Sequence, residues 1–154
     1  MVPDTNLAAF LEKEIRVFCL VMTTKEHLAT SGKIIMDTWG KRCTKLIFFS
    51  QNKPGERFYS GSSESDEKRL NIHTDNIGLE NIVLLKETDG FAKDREALKH
   101  VYMLYRSEFD WLVKTNDNSF IVLENLRHML YQYDTQWPVL IGQLYLDQVG
   151  FWKI

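Results

Sequence analysis

The sequence predicts an α/β domain built on a mostly parallel sheet with helices on both faces. Short apolar runs typical of strands alternate with amphipathic stretches that have helical spacing. Strands that alternate with helices form right-handed βαβ units, which align neighbouring strands in parallel. With 154 residues, of which 44% are hydrophobic, the chain is long enough to bury a core of its own.

Five short runs rich in apolar, β-favouring residues are the predicted strands. They occupy residues 15–23, 45–50, 81–85, 109–114 and, after Pro138, 139–141. The first two are apolar at consecutive positions, so we expect them to be buried in the sheet.

Three stretches have the periodicity of amphipathic helices, and they occupy residues 27–39, 94–105 and 122–133. The first is predicted to end at Gly40, because glycine commonly follows the last helical residue. The second is the clearest, since Leu98, Val101 and Tyr105 fall on one helical face. Residues 51–66, rich in Ser, Gly and charged residues, are predicted to form an exposed loop.

The charge balance gives no sign of a strongly basic partner-binding surface. Lys and Arg number 19 against 21 Asp and Glu, for a net charge of −2. We therefore expect no nucleic-acid partner. No apolar run reaches the roughly 18 residues of a membrane-spanning helix, and residues 1–15 do not resemble a signal peptide. We expect membrane attachment only through an anchor that is not present in this chain.

The two cysteines, Cys19 and Cys43, are too few for a disulfide scaffold or a zinc site. Composition alone is compatible with a disulfide between them and with two buried free thiols.

Ligands of parallel α/β sheets bind outside the carboxyl ends of the strands, where the connecting loops converge. Three loops are therefore candidates for a binding site. They are residues 24–27, 87–93 and 115–119. The fold alone does not assign a chemistry to them.

Several blocks of the sequence resemble the catalytic domain of the core 1 β-1,3-galactosyltransferase family. The blocks are Ile15–Thr23, Thr38–Cys43 running into Lys45–Ser50, Asp110–Lys114, Val122–Arg127 and Pro138–Gly142. They follow one another in the family's order and together span residues 15–142.

The resemblance implies a Rossmann-like GT-A fold, of which this chain would be the nucleotide-sugar-binding half. It implies a lead-in at residues 1–14, a donor-binding domain at 15–142 and a truncated tail at 143–154. It further implies galactosyl transfer from UDP-galactose to the O-linked GalNAc of a glycoprotein acceptor, with inversion and with Mn²⁺ as cofactor. The family's location is the Golgi lumen, on a membrane-anchored protein.

The resemblance also assigns roles to individual residues. It implies nucleotide-sugar binding by Thr23, Thr24, His27, Asp89, Gly90, Lys93 and Asn116, metal binding by Asp117 and Asn118, and a disulfide between Cys19 and Cys43. Two of these residues have ordinary alternatives, since His27 and Lys93 are both compatible with exposed positions near helix starts. The catalytic base is unknown.

The sequence departs from the family at its acidic turn. The family's Lys-Ala-Asp-Asp-Asp-Thr-Tyr is replaced by residues 114–120, Lys-Thr-Asn-Asp-Asn-Ser-Phe, which leaves Asp117 as the charged residue of the triplet. Losing two carboxylates is expected to weaken metal binding more than about tenfold. An alternative interpretation is an N-capping turn, in which Ser119 or Asn118 satisfies the free amides of the next helix.

A second departure is that the family's acceptor loop and candidate base lie beyond the last matched block, where this sequence has only residues 143–154. We therefore expect weak transfer or none. Two alternatives stay open, a non-catalytic binding or chaperone-like module and a truncated gene product. Assembly with a second copy of the chain is also left open.

Overall fold

The computed structural model describes residues 5–51, 81–87, 89–142, 145–146 and 152–153. The helices are α1 (Thr5–Glu14), α2 (Lys25–His27), α3 (Lys33–Asp37), α4 (Gly90–Tyr105) and α5 (Leu123–Leu130). The strands are β1 (Val17–Thr23), β2 (Lys45–Gln51), β3 (Ile82–Leu85), β4 (Trp111–Asn116), β5 (Tyr145–Leu146) and β6 (Trp152–Lys153). Beyond Gln51, the predicted loop at 51–66 lies outside the described residues.

The main sheet has four strands in the order β3-β2-β1-β4, and every pair is parallel. Strand β1 lies inside the sheet, where Leu20 is aligned with Ile47 of β2 and with Lys114 of β4. The short strands β5 and β6 form a separate antiparallel pair. The predicted α/β class with a parallel sheet is confirmed.

Helices cover both faces of the sheet because alternate residues of β1 and β2 supply two apolar surfaces. One surface includes Val21 and Phe48, and it packs with residues of α1, α3 and α5. The other includes Leu20 and Phe49, and it packs with Ala97 and Val101 of α4. We call them the α5 face and the α4 face. Residues Val17–Val21 have no exposed surface, which fits a strand packed on both sides.

The segment between β1 and β2 is helical, as predicted for residues 27–39, but it is not one regular helix. A π-helical turn, Leu28–Gly32, separates α2 from α3. The helix ends at Asp37, and Gly40 begins a short 3₁₀ turn. A Cβ atom at Gly40 would lie 2.7 Å from the carbonyl oxygen of Ile35 and 2.8 Å from Leu46 Cδ2. Glycine is therefore required there by close packing rather than by the helix end.

Three predicted boundaries differ from the structure. Helix α4 begins at Gly90 rather than at residue 94, because Asp89 caps it: Asp89 Oδ2 accepts a hydrogen bond of 3.1 Å from the Ala92 amide. Helix α5 is shorter than the predicted 122–133. The predicted strand at 139–141 is wrong. Those residues are irregular and exposed, and Leu140 is 73% exposed, so this apolar run does not enter the sheet.

Side chains link the elements at the amino ends of the strands. Arg16 forms a two-pronged ion pair with Asp110, with nitrogen–oxygen distances of 2.8 and 3.2 Å. Hydrogen bonding from Arg16 holds the pKa of Asp110 below its usual value. Arg127 of α5 is buried and donates to the carbonyl oxygens of Ile15, at 3.1 Å, and Arg42, at 2.7 Å. These contacts join α5 to the start of β1 and to the segment before β2.

A disulfide joins Cys19 to Cys43, with a Cα–Cα distance of 6.0 Å. The pairing implied by the family resemblance is therefore present, and the alternative of two free thiols is wrong. Within the described ranges, we find no helix that is long and apolar enough to cross a membrane.

Candidate functional site

The carboxyl ends of the four parallel strands meet at one edge of the sheet, which we call the carboxyl edge. The strands end there at Thr23, Gln51, Leu85 and Asn116. From β1 the chain proceeds outward on one side to β2 and β3, and it then returns to place β4 on the other side of β1. The order reverses between β1 and β4. This reversal point is where parallel α/β sheets open a crevice for ligands.

Three predicted site residues come together at this reversal point. Oδ2 of Asp117 accepts a hydrogen bond of 2.6 Å from the Thr23 hydroxyl and contacts Nδ1 of His27 at 3.0 Å. The amide of Asp117 donates to the carbonyl oxygen of Met22 at 3.1 Å. We call Thr23, His27 and Asp117 the edge cluster. Asp117 lies 94 positions from Thr23 and 90 positions from His27, and the pairing of β1 with β4 brings it to them.

The backbone around His27 explains its position. The Thr24 side chain caps α2 by accepting a hydrogen bond of 3.3 Å from the His27 amide. This cap places His27 in the first turn above the end of β1. The π-helical turn begins at the next residue, Leu28, which is fully buried. Turns of this kind often occur at functional sites. Thr24 therefore has a structural role here, and its predicted ligand contact remains a prediction.

The side chains of the edge cluster differ in their exposure to solvent. The side chain of Asp117 is 13% exposed, whereas that of His27 is 58% exposed. The carboxylate thus lies beneath the imidazole, and the imidazole faces outward. An imidazole held in this way can exchange hydrogen bonds with a ligand at the edge, while the carboxylate fixes the orientation of the ring.

The other predicted site residues lie toward the α4 face. Lys93 is near the end of β2, with its Nζ 3.4 Å from the side-chain oxygen of Gln51. Asn116 is aligned with Met22 and is exposed. Met22 packs on the α4 face, so its aligned neighbour Asn116 projects to that side. Side chains alternate along a strand, so Thr23 projects with Val21 to the α5 face. Asn116 and the edge cluster therefore project to opposite sides. The structure therefore divides the predicted nucleotide-sugar residues into two groups.

Asp89 and Gly90 open helix α4, and Asp89 is the cap described above. A Cβ at Gly90 would meet no atom within 4 Å, so packing does not require glycine there. Nearby, the Glu96 carboxylate accepts hydrogen bonds of 3.0 Å from the amides of Lys86 and Glu87. The loop after β3 is thus attached to α4. The predicted binding roles of Asp89, Gly90 and Lys93 remain predictions.

The turn at 116–119 is not an N-capping turn. Helix α5 begins at Leu123, and its cap residue, Val122, makes no side-chain hydrogen bond to it. The turn is closed instead by the Ser119 amide, which donates to the Asn116 carbonyl at 3.2 Å. Non-helical residues separate it from α5. The alternative interpretation based on Ser119 and Asn118 is therefore wrong, because the helix starts too far along the chain.

The residues of this turn do not fit a manganese site. Hard cations such as Mn²⁺ prefer anionic oxygens. The turn offers one carboxylate, and one oxygen of that carboxylate already accepts the contacts from Thr23 and His27. The neighbouring Asn116 and Asn118 offer amides only. In the part of the chain that the structure describes, no three His, Cys, Asp or Glu residues are grouped to hold a metal ion.

Ser50 is a feature that sequence reasoning missed. It precedes the last residue of β2 and is aligned with Thr23 in β1. Its side chain is fully buried, and within the described structure its hydroxyl has no hydrogen-bond partner. An unpaired buried hydroxyl is destabilising. No signal in the sequence distinguishes Ser50 from any other serine at a strand end.

Comparison with known proteins gives the family. The Fringe-like family model matches residues 12–149. Over 140 residues, 91% of this chain, the sequence is 24% identical to glycoprotein-N-acetylgalactosamine 3-beta-galactosyltransferase 1 of Xenopus laevis. Over 133 residues, 86% of this chain, it is 26% identical to beta-1,3-glucosyltransferase of Mus musculus.

The chain spans 34% of the length of the Xenopus relative and 23% of the length of the mouse relative. The family match, in contrast, extends over most of the chain and includes the whole parallel sheet. It agrees with the sequence resemblance and with the parallel α/β architecture. The chain belongs to the Fringe-like family of GT-A glycosyltransferases.

Proposed function

We propose that this chain is the donor-binding part of a β-1,3-glycosyltransferase and binds a UDP-sugar at the carboxyl edge of its sheet. The observation that carries the proposal is the edge cluster at the strand-order reversal, where Thr23, His27 and Asp117 converge. The family membership supports a nucleotide sugar as the ligand class.

UDP-galactose is the proposed donor, and the O-linked GalNAc of a glycoprotein is the proposed acceptor. The name of the Xenopus relative supports this choice, whereas the name of the mouse relative describes glucosyl transfer. Both names describe transfer to a 3-position with β configuration, so the linkage is better supported than the sugar.

In the proposed complex, the chain's own residues bind and orient the nucleotide. His27 and Thr23 provide hydrogen-bonding groups on the α5 side of the edge, and Lys93 provides a positive charge on the α4 side. A diphosphate spanning the edge would approach Lys93, whose present partner is the uncharged Gln51. Ion pairing between lysine and phosphate is favourable and sensitive to salt.

Transfer by this chain is proposed to be weak or absent. The family's metal neutralises the charge of the departing diphosphate, and the turn at 116–119 does not fit that ion. This observation favours a second candidate function, a non-catalytic binding or chaperone-like domain that retains the donor site. A luminal, oxidising compartment such as the Golgi is proposed for either function, and the Cys19–Cys43 disulfide supports it.

Calorimetric titration of the purified 154-residue chain with UDP and UDP-galactose tests donor binding. We expect micromolar affinity for both, and ADP serves as the control nucleotide. His27→Asn is expected to weaken binding about tenfold through loss of a hydrogen bond. His128→Asn is the matched control, because His128 is an exposed histidine of α5 outside the edge cluster.

Transfer of labelled galactose to a GalNAc-peptide separates the two candidate functions. UDP binding without transfer supports the non-catalytic domain, and slow transfer supports a weak enzyme. Absence of heat at millimolar UDP contradicts the proposed donor site. Rapid transfer that requires Mn²⁺ contradicts the proposed loss of activity.

A further inference from the structure

The acid retained in the turn at 116–119 is directed toward protein side chains. Asp117 occupies the middle position of the degraded acidic triplet. Its Oδ2 is 2.6 Å from the Thr23 hydroxyl and 3.0 Å from His27 Nδ1, and its backbone amide is bonded to Met22. Two connections to the end of β1 and one to α2 therefore fix this one residue.

We propose that Asp117 is a positioning residue that sets the tautomer and orientation of His27, and that nucleotide binding at this edge consequently does not depend on a divalent metal. The proposal rests on the donor site proposed above and deepens it. It assigns the retained acid a role that replaces metal binding in this chain.

The tautomer follows from hydrogen-bonding chemistry. An ionised carboxylate has no proton to donate, so the contact with Asp117 requires a proton on Nδ1 of His27. A neutral imidazole carries one ring proton. Nε2 is therefore left as an acceptor, at the far side of a ring that is 58% exposed. When the ring is neutral, the site thus offers an acceptor to a ligand N–H or O–H group, both of which a nucleoside contains.

The partial burial of Asp117 strengthens this role. At 13% exposure, its carboxylate is shielded from water, so its contacts with Thr23 and His27 are screened less than those of a surface pair. Thr23 occupies the same carboxylate oxygen from the strand side. Rotation of the carboxylate would therefore break two contacts at once, which makes Asp117 a rigid support for the ring.

The first test measures the tautomer without any nucleotide. Long-range ¹H–¹⁵N correlation spectra of the histidine ring, recorded at a pH where the ring is neutral, are expected to show the proton of His27 on Nδ1. In Asp117→Ala, the ring is expected to become a mixture of both tautomers. Asp37→Ala is the matched control, because Asp37 is exposed at the end of α3. A proton on Nε2 of His27 in the unmodified chain would overturn the proposal.

The second test measures coupling between the two residues in UDP binding. Asp117→Ala and His27→Ala are each expected to weaken UDP binding about tenfold, and the double variant by no more than about twofold beyond either one. A residue that only stabilises the fold would give effects that multiply. A double variant whose loss of UDP affinity equals the product of the two single losses would therefore overturn the proposal. If Asp117→Ala does not fold, Asp117→Leu, which has a similar shape but no hydrogen-bonding atom, replaces it in both tests.

The third test concerns the metal. UDP affinity in EDTA and in millimolar Mn²⁺ is expected to agree within about twofold, because Asn116 and Asn118 stand where the family has carboxylates. An increase of more than about tenfold with Mn²⁺, abolished by Asp117→Ala, would show that Asp117 is a metal ligand and would overturn the proposal. If UDP does not bind under any condition, the proposed donor site fails, and the tautomer measurement decides the role of Asp117 by itself.

Discussion

The two edges of the parallel sheet are built differently, although the same strands form both. At the amino edge, the Arg16–Asp110 pair joins the starts of β1 and β4, and the two hydrogen bonds of Arg127 tie the start of β1 and the segment before β2 to α5. At the carboxyl edge, His27 and Asn116 are exposed, whereas the hydroxyl of Ser50 is buried and has no partner in the described structure. The closed edge supplies stability, and the open edge leaves polar groups available to a ligand.

This difference matches a general division in α/β proteins, in which the scaffold is rigid and the loops carry function. Here the division extends to the two aspartates that flank β4. Asp110, at the amino end, has a cationic partner that lowers its pKa, whereas Asp117, at the carboxyl end, has a hydroxyl and an imidazole. Four changes to the two edges would test the comparison.

The largest effect is expected from Arg127→Ala at the amino edge. The change leaves the carbonyl oxygens of Ile15 and Arg42 without these hydrogen bonds and creates a cavity beside α5. We expect the free energy of unfolding to fall by about 3 kcal/mol, measured by urea denaturation. Arg127→Lys is expected to restore part of it, because one ammonium cannot reach both carbonyls as a planar guanidinium does. A loss below about 0.5 kcal/mol would contradict a stabilising role for this edge.

The next effect is expected at the carboxyl edge, from restoring carboxylates in Asn116→Asp/Asn118→Asp. Two added carboxylates in the turn would raise Mn²⁺ affinity more than about tenfold, because anionic oxygens bind this ion best. Asp117 is not needed as a ligand, since its Oδ2 contacts the other two members of the edge cluster. Titration calorimetry with Mn²⁺ measures the change. Asn125→Asp/Gln132→Glu, made on exposed residues outside the turn, adds the same two negative charges and is the control for altered net charge. Unchanged affinity would mean that the turn cannot arrange its side chains around a cation.

A smaller effect is expected from Asp110→Asn. The pair with Arg16 is partly exposed, so its loss should cost about 1 kcal/mol of unfolding free energy. The pKa of Asp110 is lower in the folded chain than in the unfolded one, so its contribution is present above the unfolded value and is lost as the pH falls through the folded value. The stability difference between the variant and the unmodified chain should therefore shrink at acid pH. A difference that stays constant down to strongly acid pH would contradict this assignment.

The smallest effect, and one of opposite sign, is expected from Ser50→Ala. Removing a buried hydroxyl that lacks a partner should raise the free energy of unfolding by up to about 1 kcal/mol. Thermal unfolding measures the shift, with Ser107→Ala as an exposed control. A decrease in stability would show that the Ser50 hydroxyl is satisfied in the folded chain. Ser50 would then not be a difference between the two edges.

The sheet could be predicted from the sequence because its strands are apolar at consecutive positions, a pattern that few other environments produce. The run at 139–141 has the same composition but lies outside the sheet, since an apolar run alone does not determine whether a partner strand is available. The start of α4 was misplaced because Phe91 is 78% exposed and breaks the apolar period, although the helix already includes it.

The edge cluster could be predicted only as separate residues. Thr23 and Asp117 are brought together by the pairing of β1 with β4, and no local pattern reports a contact over that distance. The role of the acid retained in the turn could not be predicted either. The sequence does not distinguish an aspartate that binds a metal from one that supports a histidine. Only the 3.0 Å contact with His27 distinguishes the two roles. The role of Arg127 was missed for a similar reason, because its partners are backbone carbonyls.

The strand order has a consequence for how the chain folds during synthesis. The inner strand β1 leaves the ribosome before the other strands of the sheet, and its partner β4 follows it by most of the described sequence. Until then one side of a fully apolar strand lacks its neighbour, and closing so long a loop is entropically slow. Chain segments in this state are prone to aggregate. Folding assistance would therefore be most valuable to this protein before Trp111–Asn116 has been made.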